Sequence, residues 1–540
     1  MRAAPTVMSA RSHRWAAVTA ALVLLVFMMS ISRDFGFTWD ERFQQKYGEE
    51  IWDYLQGRLS RSTFDTDLGN QYLYGGLVEL ASVTAQHVVQ YVVHADTYVV
   101  RHVVTSVFSW LGIVFSGLLA GHLFGRRAGW LAALLLTLSP RFFGDAMNNP
   151  KDAPFAAFAM ATLYYALTID WRPPYVSWRH LAKLTLVIAL AINIRPLGLI
   201  LLAYAGGIIM LMAGWSVIGS SAAGRWRTLV ATIGKVALMA GVAIPAGTLV
   251  WPWAQASPYL RPIQGFLITS RLDWARGFDV LYAGQDMGAG DLPWSYVPMW
   301  LFMSLPPVVL AGLLLSGLIW RRGARQAAAW TSLAAFVLTP VVAAVVRNAT
   351  IYDGIRHLAF IVPPLTVIAA AGWSALLDRR SPRVRIAAVV LLGAGLLEPL
   401  VFQLRNHPNQ IVYFSPLAGG PRAAFARYDL DYWGNSVLQA VEWAARRAEQ
   451  SGFPIVVSGN PVQAVDADAA RFHSLRAVPR ASRDYHFDIR LMRGPSRSLI
   501  EFAGRPDILY SVRTADGTPI CVVIPGPAYL SISDRLAPER

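Results

Sequence analysis

The chain has 540 residues, of which 55% are hydrophobic and only 15% are charged, and its mean hydropathy is +0.40. This composition excludes an ordinary soluble globular protein and indicates an integral membrane protein. The net charge of +15 predicts Arg-rich cytoplasmic loops rather than a nucleic-acid partner, and the single Cys521 excludes an intramolecular disulfide and paired-cysteine zinc sites.

The first apolar segment, at about 15–31, follows a basic N-terminal stretch and lacks a small-x-small cleavage site. We therefore predict a retained first span with its N-terminus inside the cell. An outer loop, 32–100, comes next. Its residues 41–59 have the helical spacing typical of a helix at the bilayer surface. Residues 73–93 are predicted to form an interfacial or re-entrant helix, because Glu79 and nearby polar groups would be costly in lipid.

Ten further apolar runs are predicted to be spans, since each has roughly the length needed to cross a bilayer or is somewhat shorter. Their approximate bounds are 101–123, 128–140, 153–169, 182–194, 197–217, 228–250, 295–320, 327–346, 357–377 and 385–403. Alternation from an inside N-terminus agrees with the positive-inside rule, because it places five basic connections inside. These connections are 126–127, 172–183, 225–227, 321–325 and 379–385.

The predicted fold is thus a polytopic α-helical membrane protein of about eleven transmembrane helices, with a module over 1–403 and a separate outer domain over 404–540. The outer domain lacks long apolar runs and is predicted to be α+β. Its predicted elements are a helix over 436–450, a strand over 454–458 and a hairpin of 508–512 with 519–524 around Asp516-Gly517.

The residues that could carry chemistry fall on the predicted outer face. Asp40 and Glu41 come shortly after the first span, and Lys151 and Asp152 close a polar second loop, 139–152. Either group is also typical of a solvated loop. Their occurrence on one face favours a shared site.

Basic residues at the outer ends of spans run against the positive-inside trend. The candidates are Lys46, Arg141, Lys151, Arg195, Arg356 and His357. An Arg at a helix end can snorkel to lipid headgroups without further function. As a set, cations facing carboxylates at a bilayer surface predict a site for an anionic headgroup, most simply a phosphate. Such a site favours a reaction in which a hydroxyl attacks carbon and a phosphate departs, such as sugar transfer from a polyprenyl phosphate.

Four collinear motifs resemble the GT-C superfamily of polyprenyl-phosphate-dependent glycosyltransferases, in particular protein O-mannosyltransferases and aminoarabinose-to-lipid-A transferases. They are Thr38-Trp39-Asp40-Glu41, Ser139-Pro140-Arg141 through Asn149-Pro150-Lys151-Asp152-Ala153-Pro154, Tyr352-Asp353-Gly354-Ile355-Arg356-His357, and Asn406-His407-Pro408-Asn409-Gln410 through Asp431-Tyr432-Trp433-Gly434. The resemblance implies a GT-C fold in a bacterial inner membrane, with the site and the C-terminal domain on the periplasmic side.

The resemblance also implies roles for individual residues. Asp40 resembles the catalytic base, with Glu41 beside it, and Asp152 resembles a second acid. Arg356 and His357 resemble the cationic group near the donor phosphate. Topology adds four further phosphate-binding candidates, which are Lys46, Arg141, Lys151 and Arg195. Asp431 and Trp433 are either packing and interface anchors or acceptor-binding groups.

The sequence leaves alternatives open for the metal dependence, for the acceptor and for the type of reaction. Asp40, Glu41, Asp145 and Asp152 supply enough oxygen ligands for a divalent ion. The resemblance implies none, and we expect no metal or other cofactor. A lipid or glycan acceptor is preferred, because the C-terminal tail is not a feature of protein O-mannosyltransferases. A protein acceptor is the first alternative. A flippase or transporter for the lipid-linked sugar is the second, disfavoured by the lack of an internal repeat.

Overall fold

The computed structural model describes residues 10–65, 70–93, 95–169, 176–216 and 221–536. Several predicted segments extend beyond these ranges. The parts that lie outside the described residues are 66–69 and 94 of the outer loop, 172–175 of one basic connection, residue 217 of one span, and 537–540 of the C-terminal domain.

Helices make up most of the described chain. They are α1 (Ala10–Ile31), α2 (Glu41–Leu55), α3 (Leu77–Gln90), α4 (Thr97–Phe124), α5 (Arg126–Thr137), α6 (Pro140–Asn148), α7 (Asp152–Leu167), α8 (Trp178–Ile192), α9 (Gly198–Ser216), α10 (Ala222–Ala246), α11 (Pro252–Gln255), α12 (Leu260–Thr269), α13 (Tyr296–Ser304), α14 (Pro307–Leu315), α15 (Ala324–Val346), α16 (Val362–Leu377), α17 (Pro382–Asn406), α18 (Gly420–Ala424), α19 (Val437–Ser451), α20 (Val462–Ala469) and α21 (Ser496–Ala503). The strands are β1 (Asp279–Tyr282), β2 (Gln285–Gly288), β3 (Ile455–Asn460), β4 (Leu475–Ala477), β5 (Phe487–Leu491), β6 (Tyr510–Arg513) and β7 (Pro519–Pro525).

Every predicted span coincides with helical structure, so the predicted class of polytopic helical membrane protein is confirmed. By length and composition, six described helices can cross a membrane, or seven if one bent pair is a single span. The six are α1, α4, α10, α15, α16 and α17. Three other predicted spans form helices of 12, 16 and 15 residues, α5, α7 and α8. The number of crossings therefore stays a prediction.

The predicted span over 295–320 is not one straight helix. The chain forms α13 and α14, which are bent by 109° at the break between them. Pro306 lacks an N–H group and its ring disfavours a helical conformation at Leu305, which is extended. As a result α13 carries Trp300 into packing against Phe414, with ring centroids 5.4 Å apart.

Helix α16 lies at the centre of the helical layer. Its apolar stretch is 89% buried, whereas those of α1 and α17 are 11% and 17% buried and present apolar side chains to their surroundings. Close packing against α14 requires glycine, because a Cβ on Gly372 would lie 2.1 Å from the carbonyl oxygen of Gly312. The segment that leads into α16 is therefore continuous with the most buried of the six candidate spans.

The first outer loop is anchored by buried charges. Arg101 on α4 is fully buried and donates to Glu79 on α3 at 2.6 Å and to Gln45 on α2 at 3.0 Å. A buried ion pair is stable only where its hydrogen bonds are satisfied, and this one joins three helices. The predicted helices near 41–59 and 73–93 are both present, as α2 and α3.

The C-terminal domain is built on a five-stranded sheet of order β4-β3-β5-β7-β6. Strand β3 pairs in parallel with β4 and β5, while β7 pairs antiparallel with β5 and β6. The predicted helix near 436–450 and the predicted hairpin are present, as α19 and β6–β7. Trp443 of α19 stacks on Tyr510 of β6 at 5.2 Å, which fixes the helix on the sheet.

Asn435 joins this domain to both outer loops. Its Oδ1 accepts hydrogen bonds from the backbone N–H of Gly36 and from Asn148 Nδ2, each at 3.0 Å. Its Nδ2 donates to Pro408 at 3.0 Å and to Asn409 at 2.7 Å. A Cβ on Gly36 would lie 2.5 Å from the Asn435 carbonyl oxygen, so only glycine fits there. The two predicted outer loops are therefore brought together by the tail.

Candidate functional site

A cavity of about 400 Å³ lies where the outer loops, the segment before α16 and the C-terminal domain meet, and we call it the central cavity. Four cations and three carboxylates line it. They are Lys151, Arg195, Arg356 and Arg493, with Asp40, Asp152 and Asp353. Even without a charge on His357, the excess of cations over carboxylates favours an anionic ligand.

Asp40 and Arg356 face each other across this cavity. Asp40 is the N-cap residue of α2, and its Oδ2 lies 3.7 Å from Arg356 Nη1. The Asp40 side chain is 35% exposed, whereas those of Asp152 and Asp353 are 5% and 7% exposed. Of the three carboxylates, Asp40 is therefore the one best placed to meet a ligand.

Arg356 is held rigidly. Its guanidinium lies over the rings of Tyr352 at 4.5 Å and Trp433 at 4.7 Å, and 3.4 Å from the Asp353 carboxylate. His357 follows it in the chain, also lines the cavity and packs against the ring of Tyr352 at 4.7 Å. A guanidinium fixed on aromatic faces is suited to bind an anion with little loss of entropy.

The second loop contributes Asp152, the first residue of α7. Asn149 donates to Asp152 Oδ2 at 3.1 Å and accepts from the Asp152 backbone N–H at 3.0 Å. Arg195, from the turn after α8, forms an ion pair with Asp152 Oδ1. Both oxygens of Asp152 are therefore engaged, and the residue orients Arg195 toward the cavity.

Lys151 differs from the three arginines in its partners. Its Nζ donates to Gln71 at 2.6 Å and lies 4.4 Å from the centre of the Tyr74 ring. Within the described ranges no carboxylate lies within 4.0 Å of this ammonium. Burial lowers the pKa of Lys151, although Asp40 and Glu79 oppose the effect. A ligand anion would supply the charge partner that this ammonium lacks.

Two charged residues of the cavity have no role predicted from the sequence, Asp353, which stands in the third motif, and Arg493. Asp353 lies in a turn with a positive φ of 56°, followed by Gly354 at 68°. The Asp353-Gly354 turn signal just before Arg356 could have marked it. Arg493 follows β5 in the C-terminal domain and donates to Asp353 at 2.6 Å. No local pattern marks Arg493, because only the docking of the domain brings it there.

Trp433 lines the cavity, as expected for a ligand-contacting group. Its indole Nε1 donates to Asp145 Oδ1 at 2.9 Å. Burial raises the pKa of Asp145 to about 6, although the hydrogen bonds from Trp433 and Asn149 oppose this. Asp145 therefore orients the indole from behind and does not itself line the cavity.

Glu41, predicted beside Asp40 at the site, faces the other way. Its carboxylate is 1% exposed, accepts from the backbone N–H of Thr38 at 2.8 Å, and lies 3.0 Å from His102 Nε2. The side chains of adjacent residues at a helix start diverge, so burial of Glu41 against α4 leaves Asp40 toward the cavity. Glu41 therefore does not line the central cavity, and its buried contacts hold the start of α2 in place next to Asp40.

Three more predicted residues do not line the central cavity. Lys46 is 66% exposed and pairs with Glu50 one helical turn away. Arg141 is buried, donates to the Tyr413 carbonyl at 2.7 Å and stacks on aromatic rings, and burial lowers its pKa. Asp431 is 1% exposed and accepts four hydrogen bonds from residues 434–436. The sequence does not distinguish such structural polar groups from cavity residues, because both are polar groups near predicted outer loops.

The cavity carboxylates each have a guanidinium neighbour, Arg356 for Asp40, Arg195 for Asp152 and Arg493 for Asp353. Among the described residues, no three His, Cys, Asp or Glu side chains are grouped so that they could hold a metal ion.

The fold and the cavity define a multi-pass membrane protein whose charged site lies between the helical layer and the C-terminal domain.

No family model and no curated protein matches the sequence. Among solved structures, the chain is similar to ArnT from Cupriavidus metallidurans bound to undecaprenyl phosphate, with 15% identity, coverage of 98% of this chain and 100% of that one, and a TM-score of 0.49. It is also similar to the oligosaccharyltransferase AglB from Archaeoglobus fulgidus in complex with an inhibitory peptide and a dolichol-phosphate, with 11% identity, coverage of 88% and 70%, and a TM-score of 0.44.

Proposed function

We propose that this protein is a membrane glycosyltransferase that moves a sugar from a polyprenyl-phosphate donor to a hydroxyl of a lipid or glycan acceptor. The observation that carries the proposal is that a partly exposed carboxylate, Asp40, lies 3.7 Å from the fixed guanidinium of Arg356 in a cavity lined by four cations. A candidate base and a candidate phosphate site thus line one cavity, so a sugar bound there would be attacked from one face while the phosphate leaves from the opposite face.

In the proposed reaction the acceptor hydroxyl attacks the anomeric carbon while Asp40 accepts its proton. The new C–O bond forms as the bond from that carbon to the phosphate oxygen breaks. The bonding electrons leave with the polyprenyl phosphate. One direct displacement inverts the configuration at the anomeric carbon.

The leaving phosphate would be held by Arg356, Lys151 and Arg195. Charge builds up on its oxygens in the transition state, and preorganised cations in a partly closed cavity stabilise that charge. Lys151 is the most available of them, since its partners within the described part of the chain are an amide and an aromatic ring rather than a carboxylate. These cations supply the positive charge that a metal ion would otherwise contribute, so we expect turnover to be independent of chelator.

We further propose that the cavity and the C-terminal domain face the periplasm of a bacterial inner membrane. The basic connections assigned to the inside lie at the opposite ends of the helices from the cavity residues in the predicted topology. A lipid-linked donor suits that compartment, since its tail stays in the bilayer while its sugar phosphate reaches the cavity.

The test uses the purified protein and the Asp40→Asn variant with a panel of polyprenyl-phosphate sugars, with and without chelator. We expect wild-type protein to release polyprenyl phosphate and the variant to bind donor but to turn it over roughly 10²- to 10⁴-fold more slowly. Asp53→Asn is the matched control, because Asp53 lies on the same helix, pairs with Arg58 and does not line the cavity.

Equal turnover by Asp40→Asn would remove Asp40 as the base. Movement of the lipid across a vesicle bilayer without any release of polyprenyl phosphate would replace the proposal by a transporter. Transfer to a peptide but not to lipid or glycan acceptors would show that the acceptor is a protein.

A further inference from the structure

A second cavity, of about 390 Å³, adjoins the central cavity, and we call it the hairpin cavity. It lies between the β1–β2 hairpin and the C-terminal domain. Trp39, Phe278 and Arg493 line both cavities, so the two spaces share a wall. Arg493 lies over the Trp39 ring at 5.5 Å, next in the chain to Asp40.

The hairpin presents two carboxylates to this cavity. In the antiparallel register Asp279 pairs with Gly288 and Leu281 pairs with Asp286. Residues two apart on a strand, and residues directly opposite on its partner, project from the same face of a sheet. Asp279, Leu281 and Asp286 therefore share one face, and all three line the cavity.

A third carboxylate, Asp429, forms the floor. It is 4% exposed, and its Oδ2 accepts from the Leu281 backbone N–H at 3.3 Å. Across the described part of the chain, no group donates a hydrogen bond to its Oδ1. Burial raises the pKa of Asp429 to about 6 even though Arg493 opposes the shift. This oxygen is open to the cavity, where a ligand hydroxyl or ammonium would donate a hydrogen bond to it.

The wall shared with the central cavity offers a second unsatisfied group. The indole Nε1 of Trp39 is buried and has no hydrogen-bond acceptor among the described residues. Indole faces pack well against the C–H faces of sugar rings, while the N–H donates to a hydroxyl oxygen.

We infer that the hairpin cavity is the acceptor subsite, and that it takes a carbohydrate whose binding unit presents hydroxyl or ammonium groups and no phosphate. The inference rests on the proposed glycosyl transfer, because it names the acceptor for that reaction. Three carboxylates accept hydrogen bonds from hydroxyl and ammonium donors and repel a phosphate. Trp39 and Asp40 both line the central cavity, so a sugar bound against Trp39 at the shared wall would present a hydroxyl toward Asp40.

This assignment differs from the sequence expectation for the acceptor. Asp431 is buried and accepts a hydrogen bond from the backbone N–H of Gly434, and Trp433 lines the central cavity beside Arg356. The residues of the hairpin cavity come from the segment between α12 and α13 and from the C-terminal domain.

The test is equilibrium binding by titration calorimetry on the full-length protein with three probes. They are a trimer of glucosamine, its N-acetylated form, and the glucosamine trimer carrying one phosphate. Undecaprenyl phosphate is titrated separately as a ligand for the central cavity. The variant carries both Asp279→Asn and Asp286→Asn. Both positions are exposed, so we expect the double variant to fold as the wild-type protein does. Asp273→Asn, an exposed residue of the same outer segment that lines neither cavity, is the matched control.

We expect wild-type protein to bind both unphosphorylated trimers at least about tenfold more tightly than the phosphorylated one, and the double variant to lose about tenfold for the unphosphorylated trimers. Undecaprenyl phosphate binding stays unchanged in the variant, and the control matches wild type throughout.

Absence of trimer binding, equal or tighter binding of the phosphorylated trimer, or an unaffected double variant would overturn the inference. The proposed function fails in a different way. If the trimers bind as expected but undecaprenyl phosphate does not and no sugar is transferred, the acceptor role is lost while the carbohydrate site remains. If undecaprenyl phosphate binds and the trimers do not, only the hairpin cavity is misassigned.

Discussion

Arg493 of the C-terminal domain donates a 2.6 Å hydrogen bond to Asp353, which lies three residues before Arg356 in the segment that enters α16. Its other terminal nitrogen donates to the Tyr432 carbonyl at 2.9 Å. The C-terminal domain is therefore part of the wall of the central cavity, and it orients the guanidinium of Arg356 through a shared carboxylate.

The Arg493–Asp353 pair is expected to couple the domain to the membrane part. In a double-mutant cycle of Arg493→Ala and Asp353→Ala, we expect a coupling free energy of roughly 1–3 kcal/mol, since the pair is charged, short and mostly buried. Thermal unfolding in detergent measures it. Arg497→Ala serves as the control, because Arg497 is 91% exposed and pairs only with Glu501 in the same helix. Strict additivity of the two substitutions would show that the contact does not hold the domain.

Arg356→Lys is expected to weaken donor binding although it keeps the charge. Lysine lacks the planar fork that rests on Tyr352 and Trp433 and that holds two phosphate oxygens at once. We expect the KM for a polyprenyl-phosphate sugar to rise about tenfold or more. Arg347→Lys, at an exposed position in the same outer segment, should leave KM unchanged. A normal KM with a reduced kcat would instead place Arg356 in the transition state alone.

Glu41→Ala is expected to destabilise the first outer loop. The change leaves the Thr38 backbone N–H and the buried His102 ring without their partner, and removing one member of a buried polar pair costs roughly 3 kcal/mol or more. The thermal midpoint should fall, whereas Glu49→Ala on the exposed face of α2 should have little effect. Glu41→Gln keeps an acceptor for Thr38 and should recover part of the loss. An unchanged midpoint in Glu41→Ala would show that Asp40 is positioned by other contacts.

The buried carboxyl group of Asp468 is expected to make the stability of the protein depend on pH. It is fully buried in the C-terminal domain, and burial raises its pKa from 3.8 to about 7 although Arg471 and the Phe37 N–H oppose the shift. Because the folded pKa is the higher one, the folded state binds more protons between these values. The contribution of Asp468 to the free energy of unfolding is therefore largest below about pH 4. It falls as the pH rises to about 7 and does not change further above that pH.

The measurement is the unfolding midpoint of wild-type protein and of Asp468→Asn between pH 4 and 8. The variant keeps an acceptor for the Phe37 N–H and should lose less stability over this range, by up to about 4 kcal/mol. Asp145 and Asp429, whose pKa values are each raised to about 6, contribute slopes of the same sign in both proteins. Parallel curves for the two proteins would rule out Asp468 as a source of the slope.

Sequence patterns predicted the elements better than their connections. Long apolar runs and helical periodicity indicated α1, α4 and α16, since hydrophobic length is a local property. The turn signal at Asp516-Gly517 indicated the β6–β7 hairpin. The bend between α13 and α14 was missed, although Pro306 and Pro307 were visible, because apolar composition alone does not tell a continuous span from a broken one.

For the site, motifs indicated Asp40, Asp152 and Arg356, and the predicted topology added Lys151 and Arg195; all five line the central cavity. Their catalytic and binding roles stay predictions until the variants are measured. The motifs also suggested Glu41, and the topology also suggested Arg141, yet both side chains are buried away from the cavity. Residue type and loop position do not encode the direction in which a side chain points.

The sequence by itself determined that this is a polytopic membrane protein with charged groups gathered in a few loops between apolar segments, because hydropathy and charge distribution are local properties. Only the tertiary structure decided which of those charges share a cavity. Arg493 reaches Asp353, and the β1–β2 hairpin meets Asp429, through docking of the C-terminal domain onto the outer loops. Such contacts depend on the packing of distant segments, and no local spacing of residues specifies them.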